Sequence, residues 1–159
     1  VVRALTLYRP WDWCICPNDP SFQHPKRLEN RTWKPPSSTM SERIALHAGQ
    51  VYDVGALGFI AARCNGLLIP NKVERPAGRI VCTAVVLGWF HEDGRSEGLL
   101  AEEVERWRQD RWFMGPWAWV LDEVLPCTIE VPCPRGHLGL WTLPQETERA
   151  VLLATSRVH

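Results

Sequence analysis

Residues 78–89, GRIVCTAVVLGW, form the longest β-branched apolar run of the chain. The run does not alternate between apolar and polar, so the strand it predicts has both faces covered, which marks a central strand. The flanking segments decide what kind of sheet it centres. ALTLY (4–8) reads as a first strand cut by Pro10, and WDWCIC (11–16) as a short helical turn that stops before Pro17. KRLENRTW (26–33) and RIALHAG (43–49) read as further strands, separated by a loop rich in Pro and Ser. A helix is predicted from about Asp53, through Ala56, Phe59 and Ile60, to a cap at Gly66. Another is predicted over 96–112 from the stripe Leu100, Val104 and Trp107. WAWVLDEVLPCTIEV (117–131) predicts a strand bent near Pro126, LGLWTL (138–143) a last short strand, and Pro144 the start of a terminal helix. About five to seven strands in mixed order with three helices exclude the strict alternation of a doubly wound sheet. They predict an α+β fold with a small, curved or closed, mainly antiparallel sheet.

A chain of 159 residues is expected to form one domain spanning 1–159. No apolar stretch approaches the about 20 residues of a membrane span. The opening VVRALTLYRPW is too short and too polar for a secretory signal, so a cytoplasmic location and reduced cysteines are expected. The spacing of the six cysteines matches no structural zinc knuckle, and no metal is expected. Without GxGxxG or GxxxxGK[ST], nucleotide cofactors are not expected either. Net charge is zero, yet residues 1–80 carry +5 and residues 81–159 carry −5. Such a balance disfavours a protein dominated by non-specific duplex binding and leaves room for one basic face.

KRLENRTW concentrates the chemistry. On an extended strand Glu29, Arg31 and Trp33 share one face, with Lys26 at the turn leading in. Arg31 offers a donor fork, Trp33 a stacking surface, Glu29 an acceptor for amines or protons, and Lys26 a compact charge. Arg9 and Trp11 repeat the pairing of basic and aromatic residues near the first strand, and His47 stands near the end of the RIALHAG strand. That interleaving suits a flipped or single-stranded base, which needs a stacking surface and a nearby charge. On residue types alone, a same-face ion pair on a solvated strand with Trp33 in the core explains the segment as well.

ALTLYRPW, KRLENRTW, RIALHAG, the 78–89 strand, WAWVLDEVLPC and HLGLWTLP together resemble the ASCH domain, the activating signal cointegrator homology module. The Lys-x-x-Glu-x-Arg pattern of Lys26, Glu29 and Arg31 and the early Pro10–Trp11 pair carry that resemblance most specifically. It implies a PUA-like fold, a small mixed or antiparallel β-barrel with flanking helices, and work on RNA or DNA. Some ASCH proteins are small hydrolases, acting on acetylated cytidine or on single-stranded RNA. By resemblance Lys26 matches the lysine of the acetylcytidine hydrolases and Arg31 the arginine lining their cleft. Glu29 stands where those hydrolases have threonine, and Arg9 where the family usually has Gln. The expectation is a module binding RNA, single-stranded DNA or a modified nucleoside through Arg9, Trp11, Lys26, Glu29, Arg31, Trp33 and His47. The alternatives are a metal-independent hydrolase using Lys26 and Glu29 in the same cleft, and a protein-interaction adaptor. A monomer is the default.

Overall fold

The structure is a computed structural model and describes residues 1–156. Seven strands form one sheet in the order β2-β6-β4-β3-β1-β7, with β5 paired to β4 off that path. They are β1 (Arg3–Arg9), β2 (Leu28–Arg31), β3 (Arg43–Tyr52), β4 (Arg79–His91), β5 (Ser96–Glu97), β6 (Trp117–Pro132) and β7 (Leu140–Thr142). Every pairing is antiparallel except β1 with β3. The apolar run at 78–89 is the heart of β4, paired to β3 on one side and β6 on the other, as an apolar run without alternation requires.

The sheet curls into a half-barrel, so the two faces of each strand meet different neighbours. Leu5, Leu7, Leu46, Cys82, Ala84, Val86 and Trp119 fill the concave side. Ala4, Ala45, Ile80 and Trp141 face Val151 and Ala154 of the terminal helix α4 (Gln145–Ala154) on the other. The curl brings β2, one end of the sheet, close to β1 near the other end. Arg31 of β2 donates from its guanidinium to the Thr6 carbonyl of β1 at 2.9 Å.

The shorter helices depart from the predicted lengths for local reasons. The predicted 53–66 helix is a 3-10 turn, Val54–Ala56, followed by α2 (Leu57–Ala61). Gly55 and Gly58 weaken this segment, and Asn65 and Gly66 are left-handed at φ 52° and 79°. The predicted 96–112 helix begins only at Ala101 and ends at Arg108 as α3. Gly98 at φ 77° keeps Ser96–Glu97 extended as β5, where Glu97 pairs with Trp89. The turn at WDWCIC is a helix, α1 (Trp11–Ile15), whose Trp13 and Cys14 pack with Ile60, Cys64 and Trp112.

Polar braces hold this end of the sheet. Arg9 donates to the carbonyls of Gly49, Gln50, Lys72 and Arg75 at 2.8–3.0 Å and is 7% exposed. Arg75 in turn donates to Asp12 of α1 at 2.7 Å. Gly49 permits the close approach of the parallel pair, because a Cβ there would lie 2.8 Å from Thr6 Cγ2 and 3.0 Å from the Leu7 carbonyl oxygen. Gly49→Ala is therefore expected to lower stability by about 1–3 kcal/mol through overpacking, measured by urea denaturation.

Candidate functional site

Pairing of β2 with β6 fixes the face that β2 presents. Glu29 stands opposite Trp119 and Arg31 opposite Trp117, while the alternate residue Leu28 packs with Val104 of α3 and with Phe90 and Val120. Asn30, opposite Ala118, alternates to the Leu28 side. Its amide donates to the Trp112 carbonyl and accepts from the backbone N–H groups of Met114 and Gly115, and so anchors the loop that enters β6.

A cavity of about 950 Å³ opens where β2 approaches β1. Trp11, Lys26, Glu29, Arg31, Trp33 and His47 all line it. Lys26 Nζ donates to Glu29 Oε2 at 2.7 Å, and Arg31 Nε lies 3.1 Å from Glu29 Oε1. The second contact is a close ion pair rather than an aligned hydrogen bond, since Arg31 Nε finds no acceptor in line with its N–H. Lys26 is 2% exposed and Glu29 6% exposed. Burial pushes the Glu29 carboxyl up, but the Lys26 ammonium, the Arg31 guanidinium and the Lys26 hydrogen bond outweigh it and hold it below the usual carboxylate range. The Lys26 ammonium also sits 5.4 Å from the centre of the Trp11 ring, within reach of a cation–π attraction.

Two expected binding residues have other duties. Arg9 is absent from the cavity wall: its donors are consumed by the four carbonyls named above, which makes it a brace of the fold. His47 lines the cavity but is 1% exposed, with both ring nitrogens engaged. Nε2 donates to the Cys133 carbonyl at 2.7 Å, because that oxygen can only accept. Nδ1 then accepts from the Thr6 hydroxyl at 3.2 Å, and Thr6 accepts from the Trp141 indole at 3.1 Å. Burial pulls the His47 pKa down, against the pull of the Cys133 bond, which suits this neutral tautomer. Gly136 packs directly over the ring: a Cβ there would come within 2.7 Å of Nδ1.

The structure adds residues that the sequence did not single out for the site. Asp53 lines the cavity, and its Oδ2 accepts from the Trp11 indole N–H at 3.0 Å, fixing that ring. Tyr8, Gln50 and His137 also face the space. Asp53 read as the start of a helix because β3 runs on to Tyr52, past Gly49, a length set by its pairing with β1. Among the described residues Glu29 and Asp53 are the carboxylates that line the cavity, and none of the acids from Glu92 to Asp110 does. Among the described residues no group of three His, Cys, Asp or Glu side chains is placed to hold a metal ion, and the six cysteines are unbridged. No helix there is long and apolar enough to cross a membrane.

Among solved structures, the chain is similar to an ASCH protein. The crystal structure of ASCH from Zymomonas mobilis aligns over 99% of this chain and 97% of that one, at 14% identity and a TM-score of 0.49. No family model matches, and no curated protein matches.

The ion network makes stability pH-dependent in a defined direction. The Glu29 carboxyl is lower in the folded chain than in the unfolded one. Its contribution is therefore complete above the unfolded value, about 4.3, and is lost as pH falls through the folded value. Urea titrations from pH 7 to pH 3 are expected to show a steeper loss for the wild type than for Glu29→Gln. At pH 7, Glu29→Ala is expected to cost about 3–5 kcal/mol, because Lys26 is left buried without its partner.

Proposed function

We propose that this cavity binds a nucleobase, presented by single-stranded RNA or DNA or by a modified nucleoside. The observation that carries the reading is the convergence of Lys26, Glu29 and Arg31 with Trp11 and Trp33 on one cavity. Its volume, about 950 Å³, is at the upper end for small-ligand sites. Two indoles offer stacking surface, and the polar groups between them offer both donors and acceptors. The charges of Lys26, Arg31, Glu29 and Asp53 cancel formally, which favours a neutral, planar, polar group in the cavity over a chain of phosphates. The ASCH resemblance of the Lys-x-x-Glu-x-Arg pattern points to the same ligand class.

The 2.7 Å contact between Lys26 and Glu29 favours a second reading, hydrolysis of a nucleoside amide or of single-stranded RNA in the same place. In this reading Lys26 and Glu29 act as the acid/base pair: Glu29 accepts a proton from the attacking water, and the Lys26 ammonium donates one to the leaving group. Arg31 then stabilises the negative charge that develops on the carbonyl oxygen or phosphoryl group.

Binding and turnover separate the readings. Incubation with a panel of modified nucleosides and short RNA, followed by mass spectrometry, is expected to show retained ligand; released acid or cleaved RNA would establish hydrolysis. Arg31→Ala is expected to weaken ligand binding by about 1–3 kcal/mol with a smaller loss of stability, because Glu29 keeps Lys26. Calorimetric titration beside thermal melts checks both, and unchanged affinity with a large drop in melting temperature would make the Arg31 contact purely structural.

A further inference from the structure

The face of β2 that carries Glu29 and Arg31 does not stop at the cavity. Register continues it across the sheet in two rows, Arg31 opposite Trp117 opposite His91, and Glu29 opposite Trp119 opposite Trp89. Partners opposite each other in an antiparallel sheet point to the same side, so the charged strand edge gives way to aromatic side chains, of which Trp117 and His91 are half-buried while Trp119 and Trp89 are buried. Neighbouring strands are about 4.8 Å apart, which puts Trp117 about 5 Å and His91 about 10 Å from Arg31 along its row. Trp33 is the hinge between the two regions. It lines the cavity on one side and packs edge-on against Trp119 at 4.9 Å on the other.

Cations cover this surface. Lys34, the residue after Trp33, holds its ammonium 5.5 Å from the Trp89 ring centre, and Arg95 holds its guanidinium 5.1 Å from that of Trp117. Trp117 meets Trp89 at 5.0 Å and His91 at 4.5 Å. Two acids stand nearby with partners of their own: Asp93 bonds Arg95 and lies 3.0 Å from His91 Nδ1, and Glu97 accepts from the Trp89 indole. Lys34 is exposed and makes no ion pair among the described residues, and the Arg95 side chain is 61% exposed. Long cations lying over indoles can swing aside, uncovering a ring for a base while keeping the charge beside it for a phosphate.

We infer that Trp117, His91, Lys34 and Arg95 form a second subsite, which holds the nucleotide next to the one whose base enters the cavity. The ligand is then a single-stranded nucleic acid rather than a free nucleoside. This inference rests on the nucleobase reading of the cavity. In it the flanking base stacks on Trp117, while Lys34 and Arg95 meet the connecting phosphates.

Lys34 and Arg95 are surface side chains, so their removal leaves the fold in place. The test is fluorescence anisotropy with labelled single-stranded RNA and DNA hexamers, beside calorimetric titration of the nucleoside that the panel shows to bind best. The wild type is expected to hold a hexamer at least about tenfold tighter than the nucleoside, given the worth of one stacked base. A Lys34→Ala, Arg95→Ala double variant is expected to lose about tenfold for the hexamer, with a shallower salt dependence, and nothing for the nucleoside. Arg31→Ala is expected to weaken both ligands. Equal affinity for hexamer and nucleoside, or a double variant that binds the hexamer normally, overturns the second subsite; an Arg31→Ala loss for the nucleoside would still leave the cavity reading standing. If wild type binds neither ligand, both readings fall together.

Discussion

Lys26 is buried, and Glu29 is what makes that burial tolerable. A buried ammonium costs several kcal/mol unless an opposite charge and hydrogen bonds replace its water. The 2.7 Å contact to Glu29 does so, and Glu29, itself buried, has Lys26 as its close partner and Arg31 as a second cation. Arg31 extends the chain of dependence to β1 through the Thr6 carbonyl. One network thus settles three things: the position of the turn before β2, the approach of β2 to β1, and the polar wall of the cavity between them. An apolar trio of similar size would serve stability at least as well, which is the physical reason to look for a ligand here.

A second polar system supports the opposite wall. Trp141, Thr6, His47 and the Cys133 carbonyl form a continuous hydrogen-bonded line beneath Gly136, tying β7, β1, β3 and the loop after β6. Thr6 takes part in both systems, through its carbonyl to Arg31 and its hydroxyl to His47. Arg9 and the Asp12–Arg75 pair fix the end of the cavity that holds Trp11. Buried polar contacts thus hold all three strands that wall the cavity, β1, β2 and β3.

Much of this was legible in the sequence, and the rest was hidden for physical reasons. The unbroken apolar run at 78–89 identifies a central strand because period and composition report burial directly. Alternation in KRLENRTW identifies the shared face of Glu29 and Arg31 for the same reason. Arg9 misled, since a basic residue beside Trp11 looks like a ligand contact until the carbonyls of distant residues 49, 50, 72 and 75 are folded around it. His47 has no sequence signal that separates a satisfied imidazole from an available one, because its partners come from β1 and from the loop after β6. Asp53 stayed hidden behind the longer reach of β3, which only its parallel pairing with β1 explains. Local pattern shows which residues are inside; long-range pairing decides which of them have unspent hydrogen bonds.

The central claim is that a base enters the space between Trp11 and Trp33, and nine tryptophans make that directly visible. Each indole N–H gives its own signal in a nitrogen-15 correlation spectrum, so titration with the best-bound nucleoside reports where it sits. The account predicts saturable shifts of the Trp11 and Trp33 indole signals, with those of Trp107 and Trp112, outside the cavity, unchanged. Saturable binding that moves Trp112 or Trp107 and leaves Trp11 and Trp33 in place would contradict it.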